Sequence, residues 1–305
     1  MLGVNLHNET DKLYMVILGI GIDQGTREKS INPKANRHLE EGTFPLEEDM
    51  MTEITEFEQI LIQNEVIVFR PQNIKEKPQV FTRDIGFVIG NIFFVSKMSQ
   101  QRDQEEIKGV QYLLDLIEKE NIVEIANIPE NVSVEGGDIM LFGDKVFVGK
   151  SNRTNDEAFL FLKNNFEKRL KKEFIQVKVN ANESAEENVL HLDCAFQPIG
   201  KNSAIIYEDG IINLDDFKTH LIGVNLISVS KKQAYRMFPN IFSISPTLIV
   251  IEKRFFELKH KLLNLNRKGL EDIKILEVNY SETSKMSGLL RCSTLPLLRK
   301  SFPKS

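Results

Sequence analysis

The chain has 305 residues, 41% of them hydrophobic and 27% charged, the composition of a globular protein with a large buried core. Its formal net charge of -5 comes from acids and bases mixed along the chain, which speaks against nucleic acid or an anionic membrane surface as a partner. Two cysteines and five scattered histidines give neither a disulfide framework nor the spacing of a metal site, so no metal and no cofactor are expected.

Residues 13–22 (LYMVILGIGI) read as a strand. Residues 47–64 place Met51, Ile54, Phe57, Ile60 and Leu61 on one face of a helix, and a strand follows at 66–69. The same order then recurs. Residues 81–95 read as two strands about a Gly90-Asn91 turn, 105–121 as an amphipathic helix and 122–125 as a strand. Residues 139–149 (IMLFGDKVFVG) are a hairpin with Gly143-Asp144 at its turn, followed by a helix at 155–172 and a strand at 174–179. Two strands within 190–212 flank Gly200-Lys201-Asn202, with a short helix from Asp215 and a strand at 226–229. Strands within 241–251, a helix at 255–265 and a strand at 273–278 lead into 285–300, KMSGLLRCSTLPLLRK.

Five successive strand, strand, helix, strand units with no low-complexity linker predict an α/β ring with a pseudo-fivefold axis, one domain over 1–305. The plainer alternative is an open α/β sheet. In a ring the loops converge on an axial cavity, so polar residues at strand ends become the candidates. Four segments qualify: FTRD (81–84), VEGGD (134–138), HLD (191–193) and RCST (291–294). Taken singly, Asp84 reads as a turn cap, Glu135 and Asp138 as a solvated loop, His191 as a core histidine and Cys292 as a small buried hydrophobe. Each, however, occupies the same place in its unit, so a ring brings all four together.

FTRD, EGGD, the GxSxRT pattern at 149–154, HLD and RCSTLPLLRK stand in the order that resembles the guanidino-group-modifying superfamily. That superfamily comprises arginine deiminase, dimethylarginine dimethylaminohydrolase and the arginine amidinotransferases, and the resemblance covers 13–300. It implies the five-bladed α/β propeller called the pentein fold and a cysteine-dependent hydrolase of free arginine or a close relative. The alternative it implies is an amidinotransferase, in which an amine resolves the same covalent intermediate. Cys292 is then the nucleophile, His191 the general acid and base, and Glu135 the group that orients His191. Asp84 and Asp193 grip the guanidinium, with Asp138 also on the substrate side. Arg153 of SNRT matches the arginine that binds the substrate α-carboxylate, and Arg102 of QRDQE resembles a second such arginine after a one-residue shift. A guanidinium is planar and cationic, which suits paired carboxylates and a thiolate nucleophile.

The chain departs from the deiminases in lacking a helical insertion ahead of FTRD and in reducing their glycine run to Gly288-Leu289-Leu290. It has the length of the dimethylargininases and small amidinotransferases, whereas HLD matches the deiminases. Cys194 reads as a buried spacer, and Arg83 as structural, because an extended FTRD would point it away from Asp84. Residues 32–43 (NPKANRHLEEGT) match no motif and read as a substrate cover or an exposed loop. The N-terminal segment lacks a basic region followed by an apolar stretch, so the expected setting is cytoplasmic. The expected partner is a small guanidino substrate, without nucleic acid or membrane, and a homo-oligomer is compatible with the sequence.

Overall fold

A computed structural model describes residues 1–25, 32–99, 104–182, 184–187 and 189–301. Arg102 lies outside the described residues. Among them no helix is long and apolar enough to cross a membrane.

The first sheet contains β1 (Lys12–Leu18) and β2 (Ile67–Phe69), joined through helices α1 (Pro33–Glu40) and α2 (Glu47–Gln63). The second contains β3 (Gly86–Ile89), β4 (Ile92–Val95) and β5 (Ile122–Val123), with the short helices α3 (Thr82–Ile85) before it and α4 (Gln111–Leu114) within it. The third contains β6 (Ile139–Phe142), β7 (Lys145–Lys150) and, after α5 (Asp156–Leu170), β8 (Glu173–Lys178). The fourth contains β9 (Phe196–Ile199), β10 (Ser203–Ile206) and, after α6 (Leu214–Thr219), β11 (Asn225–Ser228). After α7 (Lys231–Tyr235) come β12 (Phe242–Ser245), β13 (Leu248–Glu252), α8 (Phe256–Arg267) and β14 (Lys274–Val278) of the fifth.

Sheets two to five repeat one rule: an antiparallel hairpin followed by a third strand parallel to its second. The tight link is allowed because Gly90, Gly143 and Gly200 take positive φ at the hairpin turns. The parallel link needs a crossover, which the helical segments supply. This is the five-bladed α/β propeller of the sequence reading. Strands β3, β4, β6, β9, β10 and β12 are largely buried along their whole length, which is why they read as unbroken apolar runs. Outer helices bury one stripe each: α5 turns Ala158, Leu162 and Phe166 inward, and α2 turns Met50, Ile54, Phe57 and Leu61 inward. Each large side chain so buried contributes roughly 1.5–3 kcal/mol.

Two features differ from the sequence reading. The first unit holds only one strand before its helices; the missing one is β15 (Thr294–Lys300), which pairs antiparallel with β1 from Lys12↔Lys300 to Leu18↔Thr294. The first blade is therefore stitched from both ends of the chain. The helix read over 105–121 is also broken, into a 3-10 segment at Gln104–Val110 and the single turn of α4. Its apolar positions Ile107, Val110, Leu114 and Ile117 are buried as the periodicity requires. The backbone at Gly109, however, lies against the 72–79 loop: Gln72 N–H donates to its carbonyl at 2.7 Å, and a Cβ there would sit 2.2 Å from Gln79 Nε2.

Candidate active site

Asp84, Glu135, Asp138, His191, Asp193 and Cys292 each stand just ahead of the first strand of a blade, whereas Arg153 follows β7. Asp84 lies in α3 before β3, and Glu135 before a 3-10 turn, Gly136–Asp138, that enters β6. His191 precedes the turn Leu192–Cys194 that enters β9, and Cys292 precedes β15. Asp84, Glu135, Asp138, Arg153, His191, Asp193 and Cys292 are all buried. FTRD is a helical turn rather than extended, and Arg83 is buried with Nη1 3.9 Å from Glu9 Oε1.

On one side of the site, His191 is held between carboxylates. Its Nε2 donates to Glu135 Oε2 at 2.9 Å, and its Nδ1 lies 3.8 Å from Asp84 Oδ1. Burial disfavours the charged ring, but Asp84, Asp138 and Glu135 together outweigh it and raise the imidazolium pKa to about 10. The ring fits because Gly137 lacks a Cβ, which would meet His191 Cγ at 2.6 Å. The paired glycines thus make room rather than a positive-φ bend; neither is among the residues of positive φ. The ligand atoms of Asp84, Glu135 and His191 lie within 4.8 Å of one another, near enough to share an ion. Protonation of the ring would oppose metal ligation there.

Arg153 approaches the same carboxylate, with Nη1 3.7 Å from Glu135 Oε1. Its loop is shaped by Ser151, whose hydroxyl accepts from the N–H groups of Arg153 and Thr154 and donates to Asp138 Oδ2 at 2.7 Å. Asp138 Oδ1 accepts from Leu192 N–H at 2.9 Å. Both oxygens of Asp138 thus accept hydrogen bonds that link the Arg153 and His191 loops. Burial pushes its pKa up to about 6.

On the other side lies Cys292. Its Sγ is 3.6 Å from Asp193 Oδ2 and 3.9 Å from Oδ1. Asn240 Nδ2 donates to Sγ at 3.1 Å, while Asn240 Oδ1 accepts the Cys292 N–H at 3.1 Å. A hydrogen bond with the Cys194 thiol, burial, and the charges of Asp193 and Asp84 push the Cys292 thiol well above its usual pKa. At neutral pH the resting sulfur is protonated. Asp193 does not stand free: Arg291 Nη1 donates to its Oδ2 at 2.9 Å, and Arg291 Nη2 donates to Glu9 Oε1 at 3.0 Å and to the Ile139 carbonyl at 2.8 Å. A guanidinium at Asp193 therefore meets an oxygen pair shared with Arg291.

The loop carrying Cys292 is fixed from α2. Glu53, buried on that helix, accepts from Ser281 Oγ, from the N–H groups of Glu282 and Thr283, and from Thr283 Oγ1. Ser287 then takes a φ of 68°, and Gly288 passes Phe81 so closely that a Cβ would meet its ring at 2.3 Å. Leu289 and Leu290, in place of the deiminase glycines, are fully buried.

Within residues 32–43, Pro33–Glu40 form the helix α1. Asn32 Oδ1 caps α1 by accepting from the N–H groups of Lys34 and Ala35, and also accepts from Ser287 Oγ at 2.7 Å. Lys34 Nζ donates to the Tyr235 carbonyl at 2.9 Å. A cavity of about 30 Å³ lies beneath, lined in part by Asn32, Lys34, Cys194, Tyr235 and Ser287. Sequence reasoning missed Asn240, Arg291 and Glu9. Asn240 had a signal: it precedes β12 at Phe242 as Asp84 precedes β3 at Gly86 and Cys292 precedes β15 at Thr294.

Comparison with known proteins follows the same line. A family model described as N,N dimethylarginine dimethylhydrolase, eukaryotic, matches residues 25–299. A Bacillus subtilis protein called YkgA, described as uncharacterized, is 29% identical over 89% of this chain and 87% of its own length. An arginine deiminase of Borrelia recurrentis is 26% identical over 75% of this chain, which spans 63% of that relative. Among solved structures, SxtG, an amidinotransferase from Microseira wollei, superposes with TM-score 0.75 at 17% identity, covering 99% of both chains. The N-terminal domain of ArgZ, a cyanobacterial arginine dihydrolase, does so with TM-score 0.76 at 20% identity, covering 96% of this chain and all of that one.

Proposed function

From the premise that the chain belongs to the N,N dimethylarginine dimethylhydrolase family, we propose that it hydrolyses the guanidino group of free arginine or a close relative through a covalent intermediate on Cys292. Residues 1–305 act in this reading as one catalytic domain. The guanidinium enters between Asp84 and Asp193, and its positive charge offsets the anions that keep Cys292 protonated. Cys292 loses its proton to solvent as the cation binds, and the thiolate attacks the central carbon. The carbon–nitrogen bond then breaks, and the nitrogen departs as ammonia or an alkylamine with a proton from His191, leaving a thiouronium. His191, now neutral, deprotonates a water whose oxygen attacks the same carbon. The carbon–sulfur bond breaks with the electron pair going to sulfur, the added hydroxyl gives up its proton to restore the Cys292 thiol, and the ureido product leaves. Glu135 holds His191 in register. Arg153 receives the α-carboxylate, and the family resemblance assigns Arg102 the same task.

The observation that carries this reading is the opposition of a charged His191, bound to Glu135 at 2.9 Å, and a thiol held 3.6 Å from Asp193. A charged acid and a protonated thiol thus share Asp84 as a neighbouring anion. An amidinotransferase uses the same groups with an amine in place of water.

The test is to incubate the purified protein with arginine and its N-methylated forms, with and without glycine or ornithine, and to follow products by mass spectrometry. Citrulline without an added amine supports hydrolysis. Product carrying the amidino group on the added amine supports transfer. No turnover across the panel, with the mass of Cys292 unchanged, sinks both.

A further inference from the structure

Four of the five blades bring a charged or reactive side chain to the site just ahead of their first strand: Asp84 before β3, Glu135 before β6, His191 before β9 and Cys292 before β15. The fifth blade brings an amide. Asn240 stands ahead of β12, fully buried beside Cys292, and has no part in the reaction as written above.

The two ends of an amide are told apart by their partners, and here the partners leave one orientation. Asn240 Oδ1 lies 3.1 Å from the Cys292 backbone nitrogen, whose N–H can only donate, and Nδ2 lies 3.4 Å from the Asp193 carbonyl, which can only accept. Both contacts turn Nδ2 toward Cys292 Sγ, at 3.1 Å. The main chain holds the residue as well: the Asn240 N–H donates to the Met237 carbonyl at 2.9 Å, and the Asn240 carbonyl accepts from the Arg291 N–H at 3.5 Å. The donor is thus aligned on the sulfur before any substrate arrives.

We propose that Asn240 is a catalytic residue, the fixed donor that stabilises the Cys292 sulfur whenever it carries negative charge. A hydrogen bond to an ionised acceptor is about twice as strong as one between neutral groups, so the Nδ2 bond strengthens as the thiol loses its proton. Asp193 behaves in the opposite way. Its Oδ2, 3.6 Å from Sγ, accepts the thiol hydrogen and repels the thiolate. The amide is neutral and already in place, and a dipole held in position costs no reorganisation when the charge develops. The same bond serves again when the carbon–sulfur bond breaks and the electron pair returns to sulfur. Asn240 therefore acts twice in a turnover, at the formation of the covalent intermediate and at its release.

Asn240 has this role only if Cys292 is the nucleophile proposed above, so the test reads the sulfur itself and needs no turnover. Alkylation of Cys292 by iodoacetamide is followed by peptide mass at one pH near neutrality in wild type, Asn240→Ala and Asn240→Leu, without substrate. The reagent takes the thiolate, so loss of the donor should slow the reaction roughly threefold to tenfold in both variants. A merely structural role predicts the reverse, because a loosened loop exposes and hydrates the sulfur. An unchanged or faster rate in Asn240→Leu, at a wild-type melting temperature, overturns the proposal. Should neither variant fold, wild-type protein carrying isotopically labelled asparagine decides: the side-chain amide that Cys292→Ser displaces is followed by NMR against pH. A downfield shift of its proton as the thiol ionises supports the proposal, and a proton indifferent to that ionisation overturns it. Absence of turnover on every guanidino compound would sink the function proposed above and leave these readings of the sulfur in place.

Discussion

The two sides of the site are prepared in opposite ways. Around His191, the fold fixes a charge in advance: Asp84, Asp138 and Glu135 outweigh burial and hold the ring as imidazolium to about pH 10. Around Cys292, the fold withholds a charge, since Asp193, Asp84 and Cys194 all oppose the thiolate. Both outcomes come from the same carboxylates, because an anion favours a neighbouring cation and disfavours a neighbouring anion. The lesson is that this site is complementary to a cation that carries the missing positive charge.

The comparison can be broken at either side. The largest effect is expected from Cys292→Ser, which removes the polarizable sulfur and should lower turnover by roughly 10³-fold or more with the fold intact; near wild-type rate would end the covalent mechanism. Glu135→Gln strikes the other side. It removes one of the anions that keep His191 charged, and should cost about 10²-fold in turnover while moving the basic limb of the pH–rate profile to lower pH. An unmoved limb would show that His191 is not the titrating acid. Asn240→Ala should slow Cys292 by about tenfold, the loss of hydrogen bonds worth about 1 kcal/mol each, seen as a lower kcat with little change in KM.

The smallest effect is on stability. The folded pKa of His191 is raised from 6.5 to about 10, so its contribution is complete below 6.5 and lost as pH climbs through 10. The melting temperature should therefore decline across that interval by at least about 5 °C. In His191→Asn the His191 part of that decline should vanish; an unchanged slope would assign it to other groups.

Much of this was legible because the chain repeats. FTRD, EGGD, HLD and RCST stood out by carrying reactive groups at equivalent places, and Asp84, Glu135, His191, Asp193 and Cys292 do converge. Asn240 held the same place in FPNIF, but an amide carries no chemistry that marks it. Glu9 and Arg291 were illegible for another reason, since their contact joins residues 282 positions apart. The break at Gly109 shows a local signal losing to tertiary contact: the apolar spacing of 105–121 was real, and the backbone was taken by Gln72. For 32–43, the polar composition of α1 concealed that its cap reaches Ser287.

The pairing of β15 with β1 also sets the order in which the molecule can come into being. Cys292 sits immediately before the strand that joins the last sequence unit to the first, so that end of its loop is fixed when a loop of that length has closed. Contacts of such sequence separation form late and slowly. A refolding chain should therefore recover helix signal well before Cys292 becomes shielded from alkylation. Until that strand docks, β1 is an open edge exposed to pairing with other chains, and the step that protects the protein from aggregation is the same step that completes its site.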